Sequence, residues 1–406
     1  MSAQNSDNNL LSNLRALPSP VWILVLGTFI NRFGTFVVPF LLLYLSEEGF
    51  SLVRSGMVLS SYGVGNLAAS WLGGYFTDRF GRRNTTVLSM FSSSAVMMTI
   101  PLAVSGMSNA GWDDGAKLVA VMTLTALAGM TAELYRPASN ALLTDMVPES
   151  NRVTAFSVYR LAINAGWAFG PAAAGLLAKY SFVYLFIGDA ITSAAYGIVA
   201  LFFLPHGNRS ASHESAKWMP ALKRIVRDRK FLLYVCAALG IGFSYFQTHS
   251  TLAVHVRDAG LSTAVYGLLH SLNGLIVILF ELPVSPWTQK QPPRRVMSLG
   301  FALVGIGFAL TAWAYNLPML AFTVVIWSAG EIISFPVGGA YVANLAPEDM
   351  RGRYMGFMGF VWSFNMILAP TLGALLFTHS PTALWLICGA AGLLAAWVIS
   401  LDPGPE

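Results

Sequence analysis

Charged side chains are scarce in this sequence. Only 11% of its 406 residues are Asp, Glu, Lys or Arg, where an ordinary globular protein carries about a quarter. The 24 Lys and Arg and 19 Asp and Glu residues cannot cover a soluble surface of this size. That excludes a soluble enzyme and a disordered scaffold. Cysteine is scarcer still: Cys236 and Cys388 both lie in apolar runs, which excludes a disulfide framework and a thiolate metal site. The six histidines show no metal-ligand spacing, and no G-x-x-x-x-G-K-[ST] loop is present, so neither a metal, another cofactor nor ATP is expected. No cleavable signal is visible, because residues 1–19 are polar with Arg15 alone and the first apolar run is too long for a signal core. The net charge of +5 is spread over short loops, which is no nucleic-acid footprint. Hydrophobic residues, in contrast, make up 55%. The sequence is that of an integral membrane protein.

A bilayer core about 30 Å thick needs roughly 20 apolar residues per helix. Runs of that length fall near 20–45, 55–76, 85–106, 117–143, 153–178, 181–204, 231–256, 262–287, 296–315, 318–344, 354–378 and 381–401. The pattern predicts an all-α protein of twelve transmembrane helices, with Asn316-Leu317-Pro318 as the only separator between the ninth and tenth. A β-barrel is excluded, since its strands are about ten residues of alternating pattern.

Loop Lys and Arg residues set the expected orientation. Arg54, Lys117, Lys179 and Arg257 fall on one side, Arg32, Arg136 and Arg160 fall inside helices, and the other seventeen fall on the opposite side. This places both termini in the cytoplasm, in a multi-pass protein of the cell membrane (the inner membrane of a bacterium). The polar stretch 205–230 is a basic linker after Leu204-Pro205 and divides the helices six and six. Pro137, Pro148, Arg152 and Pro171 recur 199 positions later as Pro336, Pro347, Arg351 and Pro370. Such an internal repeat predicts two pseudo-symmetric six-helix bundles. The expected units are a cytoplasmic segment 1–19, a bundle 20–204, the linker 205–230, a bundle 231–401 and a tail 402–406.

Between the second and third helices stands Gly73-Gly74-Tyr75-Phe76-Thr77-Asp78-Arg79-Phe80-Gly81-Arg82-Arg83. This loop resembles the signature of the major facilitator superfamily, G-x-x-x-D-R/K-x-G-R/K-R/K, at all six fixed positions: Gly74, Asp78, Arg79, Gly81, Arg82 and Arg83. The equivalent loop of the second half, Glu281 to Arg295, keeps only Arg294 and Arg295. On physical grounds Gly74 permits close helix approach and Gly81 a tight reversal. Asp78 can meet the positive start of a neighbouring helix. The resemblance implies that this neighbour is the eleventh helix, near Arg353, and that Arg82 pairs with Asp145, forming a latch between the halves. The plainer alternative is that the arginines only fix topology.

The fifth helix carries Gly166-Trp167-Ala168-Phe169-Gly170-Pro171-Ala172-Ala173-Ala174-Gly175. It resembles the G-x-x-x-G-P motif associated in that superfamily with exporters working by proton antiport. Gly166, Gly170 and Gly175 give a flat face for packing and Pro171 a site for a kink. Tight packing with no bearing on transport direction is the alternative.

Ionisable groups inside a bilayer are expensive and point to function. They are Arg32 on the first helix, Glu133 and Arg136 on the fourth, Arg160 with Asn164 on the fifth, Asp189 on the sixth and Glu331 on the tenth. The resemblance implies that helices one, four, seven and ten line a central cavity, which makes Arg32, Glu133, Arg136, Glu331 and His249 of the seventh helix candidates for binding substrate or protons, with Arg160 and Asn164 of the fifth added to that set. Glu133 and Glu331 lie just before the repeat-related Pro137 and Pro336. A structural ion pair of Glu133 with Arg136 or Arg32 is the alternative. Glu331 has no cation on its own helix nearby. Tyr245, Phe246, Trp327, Phe335 and Trp362 could wall a lipophilic substrate or simply pack.

These features are expected to make a secondary active transporter, with protons, a small-molecule substrate and membrane lipid as its partners, acting as a monomer. The sequence resembles the twelve-helix drug:proton antiporter branch, which implies proton-coupled export of small amphipathic compounds. A proton symporter or facilitator for a sugar, peptide or organic anion is the alternative, and Arg32 and Arg160 leave an anionic substrate open. A polytopic membrane enzyme fits less well, because no loop offers a cluster of acids with His or metal ligands.

Overall fold

The computed structural model describes residues 14–148, 151–206, 218–347 and 350–401. Residues 1–13, most of the linker (207–217) and the tail 402–406 lie outside the described residues, as do positions 149–150 and 348–349. Among the described residues every regular element is a helix. The first span is built of α1 (Ser19–Phe33) and α2 (Val37–Glu47), the second of α3 (Leu52–Phe80) and the third of α4 (Arg82–Asn109). The fourth combines α5 (Asp114–Glu133) with α6 (Tyr135–Met146); α7 (Arg152–Ala178) and α8 (Val183–Phe203) are the fifth and sixth. After a short α9 (Trp218–Ile225), the seventh combines α10 (Arg229–Phe246) with α11 (Thr251–Asp258). The eighth to twelfth are α12 (Thr263–Thr288), α13 (Pro293–Leu310), α14 (Leu317–Leu345), α15 (Arg351–His379) and α16 (Pro381–Ser400).

Eleven of these spans are long and apolar enough to cross a bilayer. The other, α3, has the length at 29 residues but carries Arg54, Asn66, Asp78 and Arg79. Twelve spans therefore stand in two bundles of six, an all-α membrane architecture. The narrow separator at 316–318 is a helix start: Asn316 Oδ1 accepts the Met319 N–H at 3.0 Å, and Pro318 occupies the first turn, where no N–H is needed.

Three spans that read as continuous are broken near mid-length. In the first, Pro39 has no N–H for the Thr35 carbonyl, and the chain leaves the helix at Gly34–Phe36. Thr35 Oγ1 there donates to the Asn31 carbonyl at 3.1 Å. In the fourth, Pro137 likewise deprives the Glu133 carbonyl, the helix breaks at Leu134, and Ser89 Oγ accepts the Tyr135 N–H at 3.1 Å. The seventh breaks at a 3-10 turn over Gln247–His249 without proline. Gln247 occupies that break, its Nε2 donating to the Ala369 carbonyl at 3.1 Å and its Oε1 accepting from Thr251 at 2.8 Å. Arg32, Glu133 and His249 thus all sit beside breaks. The tenth span, α14, runs unbroken through Pro336.

The two bundles meet through α3 with α15 and α7 with α12. Small residues allow the approach: a Cβ on Gly56 would stand 2.7 Å from the Pro370 carbonyl oxygen, and Ser60 Oγ is 2.7 Å from Thr371 Oγ1. At the end opposite the arginine loops the bundles are tied. Tyr266 Oη donates to the Pro39 carbonyl at 3.0 Å, and Arg257 Nη1 donates to Ser46 Oγ at 2.8 Å. Toward the end carrying Arg82 and Arg294 the Cβ positions of Gly74 on α3 and of Gly352, Gly356 and Gly359 on α15 meet nothing within 4 Å among the described residues. The second-bundle side of that mouth holds a cavity of about 750 Å³, lined by Lys230, Gln289, Arg294, Tyr341 and Asn344 among others. The hydrogen bonds from Tyr266 and Arg257 thus tie the bundles at the end away from the basic loops.

Candidate functional site

A second cavity, of about 160 Å³, lies at the centre between the bundles. Arg32, Asn66, Glu133, Arg136, Trp167, Phe246 and His249 contribute to its lining. The breaks in the first and fourth spans bring Arg32 and Glu133 together. Arg32 Nη1 is 2.7 Å from Glu133 Oε1, with both side chains under a tenth exposed. Arg136 Nε reaches the other oxygen, Glu133 Oε2, at 3.5 Å, and its own side chain is half exposed. The Arg32 guanidinium also lies 5.5 Å from the centre of the Tyr135 ring. Desolvating such a group is tolerable because each Glu133 oxygen faces a cation and the Arg32 plane covers an aromatic ring. The cluster carries one net positive charge.

Glu331 stands in a different setting. Its Oε2 accepts from Asn273 Nδ2 at 2.8 Å and its Oε1 from Tyr245 Oη at 3.3 Å. Among the described residues no ion pair reaches it, and the donors around it are neutral. Tyr245 is packed edge-on or tilted against Trp327, Phe335 and Trp362 at 5.6 to 6.3 Å between ring centres. Tyr245 also meets His249 at 6.1 Å, and His249 lies 5.6 Å from Trp167 of the first bundle. One aromatic wall therefore runs from Glu331 to the charged cavity. Although Glu133 and Glu331 are near-equivalent in the repeat, their partners differ completely.

Arg160 and Asn164 are not brought to this cavity. Arg160 is two-thirds exposed, and its Nη2 lies 3.5 Å from Glu281 Oε1 on α12, across the bundle interface. Sequence reasoning treated these two charges separately and missed their pairing. It also missed Asn273, a polar side chain in an apolar run, which donates to both Glu331 and Ser328 Oγ.

At the basic end, Gly81 adopts φ +86°, the left-handed conformation that a reversal between α3 and α4 demands of glycine. Arg82 is ion-paired with Asp145 and donates to the Ala141 carbonyl at 3.1 Å, joining α4 to α6. Arg79 folds back onto Tyr75 and the Phe80 ring, and the Nε of Arg83 has no hydrogen-bond partner among the described residues. The contact expected between Asp78 and the eleventh span is not formed in this structure. Asp78 is exposed, no hydrogen bond or ion pair among the described residues ties it to α15, and the Cβ position of Gly74 faces open space. The Cβ positions of Gly352 and Gly356 at the start of α15 likewise meet nothing within 4 Å among the described residues.

On α7 the glycines face two different neighbours. Gly166 and Gly170 lie against Arg32 and Phe33 of α1, where a Cβ on Gly170 would stand 2.5 Å from the Phe33 carbonyl oxygen. Gly175 lies against Thr263 of α12 in the other bundle, where a Cβ would stand 2.6 Å from the Thr263 carbonyl oxygen. The Pro171 carbonyl faces Gly267 of the same helix, and α7 runs through Pro171 without a break.

Residues 24–264 and 250–406 match the sequence profile of the Major Facilitator Superfamily. The chain belongs to that family. It is a multi-pass membrane transporter and not an enzyme. It is 30% identical over 363 residues to the Uncharacterized MFS-type transporter YqjV of Bacillus subtilis (strain 168), covering 87% of this chain and 85% of that one. A Na(+), Li(+), K(+)/H(+) antiporter of Planococcus maritimus is 28% identical over 374 residues, covering 84% and 85%. Multidrug resistance protein MdtH of Cronobacter sakazakii (strain ATCC BAA-894) is 25% identical over 405 residues, covering 94% and 96%. Among solved structures, a mutant form of the nucleoside transporter NupG superposes with a TM-score of 0.80 at 14% identity, covering 94% of this chain and 99% of that one. At that identity the likeness shows the superfamily fold alone.

Proposed function

We propose that this member of the superfamily is a proton-coupled exporter of small amphipathic compounds, working by alternating access. The observation that carries the reading is Glu331, a carboxyl group held by the neutral donors Asn273 and Tyr245 beside an aromatic wall. A carboxyl group in that position can take a proton when the site is closed and release it when water reaches it. The aromatic rings from Trp362 to Trp167 offer an apolar surface to a lipophilic substrate. Antiporter and multidrug-resistance relatives support export, as does the glycine seam of α7.

In this reading the bundles 20–204 and 231–401 are the two moving units, and the basic end is cytoplasmic, in keeping with the distribution of Lys and Arg. Both termini are then cytoplasmic, in the cell membrane, and the structure corresponds to the inward-open state of a monomer. Asp78, Gly74 and Arg82 belong to a latch that closes when the eleventh span returns. A second reading, movement of a hydrophilic anion, is favoured by the net positive charge of the Arg32–Glu133–Arg136 cluster. Proteoliposomes with an imposed pH gradient separate the two. Gradient-driven movement of lipophilic cations or neutral dyes, against the proton flow, is expected. Movement only of organic anions, along the proton flow, would replace the first reading by the second.

A further inference from the structure

Asp189 is a buried carboxylate that the proposed cycle does not use. It stands on α8, 5% exposed, on the face turned to the first span. Three neighbours on that face are fitted to α1. Ser193 Oγ accepts from Asn31 Nδ2 at 3.3 Å, and the Thr192 and Tyr196 side chains fill the space left by Gly34 and Gly27. Asp189 itself lies at the break between α1 and α2, taking hydrogen bonds from Ser193, from the backbone N–H of Val37 and from that of Phe36, which is shared with the Gly34 carbonyl at 2.7 Å. Those amides open α2, and a helix start carries partial positive charge. The second oxygen, Oδ2, has no hydrogen-bond partner among the described residues.

The helix that Asp189 holds is the closed end of the molecule. Every residue of α2 from Val37 to Leu45 is buried. Its Pro39 carbonyl takes the Tyr266 hydroxyl, and its Phe40 ring meets Tyr266 edge-on at 5.0 Å. The charged and titratable groups facing Asp189 are few. Arg32 comes from α1, already engaged by Glu133, and Tyr62 from α3. The α2 helix presents Phe36, α7 presents Leu177 and α4 presents Met90 and Phe91 to this face of α8.

We propose that Asp189 is a second proton-binding site, separate from the central cavity, and that its charge sets how firmly α2 is held in the closed gate. A proton from water adds to Oδ2 and returns to water from the same atom. Oδ1 remains an acceptor for the α2 amides, but the charge-assisted bonds become neutral ones, which are about half as strong. The inference rests on the proton-coupled reading, since it assigns another proton to the same protein. Lying behind the first span, the site would titrate without competing with substrate.

Two measurements on the purified full chain in liposomes test it, neither needing a known substrate. The first is an infrared pH titration of the protonated-carboxyl C=O band, with aspartate carrying a 13C side-chain carboxyl. Asp189 is the only buried aspartate among the described residues. An isotope-shifted band at the high frequency of a carboxyl shielded from water, distinct from that of the water-exposed aspartates, is expected to appear in the wild type as the pH falls, and to be lost in Asp189→Asn. The second uses Leu42→Cys, with Cys236 and Cys388 replaced by alanine, and a membrane-impermeant maleimide added outside. Labelling, taken relative to the same reagent's reaction with the unfolded protein at each pH so that the falling thiolate fraction cancels, is expected to rise on acidification by roughly 2- to 30-fold, the range that a charge at a helix terminus commands, and to lose this pH dependence with Asp189→Asn. A wild type without the water-shielded isotope-shifted band would overturn the inference without any mutant having to fold. An unchanged pH dependence of labelling in Asp189→Asn would overturn the gate. Failure of the proton-coupled reading would show elsewhere, as wild-type transport indifferent to the pH gradient.

Discussion

Arg32 Nη1 lies 2.7 Å from Glu133 Oε1, joining the first span to the fourth inside one bundle, whereas Glu331 in the other bundle has only neutral donors. The repeat placed two carboxylates at corresponding depths, and their surroundings separated their chemistry. Glu133 is tied into a structural pair that also lines the cavity. Among the described residues no cation pairs with Glu331, as the proposed role of proton carrier requires.

The pair makes a stability prediction. Removing one member of a buried ion pair leaves the other charge uncompensated, at a cost of about 3–5 kcal/mol. Arg32→Met is therefore expected to lower the melting temperature of the detergent-solubilised protein strongly. The double variant Arg32→Met, Glu133→Met is expected to lose clearly less than the two single losses combined. Additive losses would show that the two side chains do not stabilise each other.

A second prediction concerns the basic end. Arg82→Ala and Asp78→Asn are each expected to slow transport severalfold while insertion and yield stay near wild type. They are expected to differ in stability. Arg82 is buried against Asp145, so its loss lowers the melting temperature, whereas Asp78 is exposed and its loss does not. Wild-type transport rates in both variants would remove the latch from the account.

Gly170→Leu tests the packing of α7. A side chain there has no room, since its Cβ alone would stand 2.5 Å from the Phe33 carbonyl oxygen. Overpacking of this kind costs about 1–3 kcal/mol or more. The variant is expected to show a lowered melting temperature and slowed transport, and Gly170→Ala a smaller version of both. A stable, active Gly170→Leu protein would mean that α1 and α7 separate easily at this point.

Much of this architecture is legible in the sequence because each crossing of a bilayer needs its own apolar run, and the charged loops between runs are short. The breaks are not legible in the same way. Pro39 and Pro137 interrupt their spans, yet α4 runs through Pro101, α7 through Pro171, α14 through Pro336 and α15 through Pro370. What decides is whether another element can hold the freed backbone groups. Ser89 does so for Tyr135, and Asp189 for Phe36 and Val37. Such partners come from distant spans and leave no local pattern. The same limit applied to Arg160, whose face of α7 and partner Glu281 depend on how the bundles meet. Arg32 with Glu133 was among the readable pairings, since two opposite charges in apolar runs have few alternatives.

Proton coupling through Glu331 is the central claim, and Glu331→Gln tests it most directly. The substitution keeps size and hydrogen bonding but removes the titrating group. In proteoliposomes loaded with a transported dye, wild type, Glu331→Gln and Glu133→Gln would be compared for pH-gradient-driven movement and for dye exchange with no gradient. The account predicts that Glu331→Gln loses at least tenfold in gradient-driven movement yet retains exchange, because substrate binding and alternating access survive. Glu133→Gln is expected to lose both, because it leaves Arg32 and Arg136 without their shared acid. Full gradient-driven transport by Glu331→Gln would contradict the account.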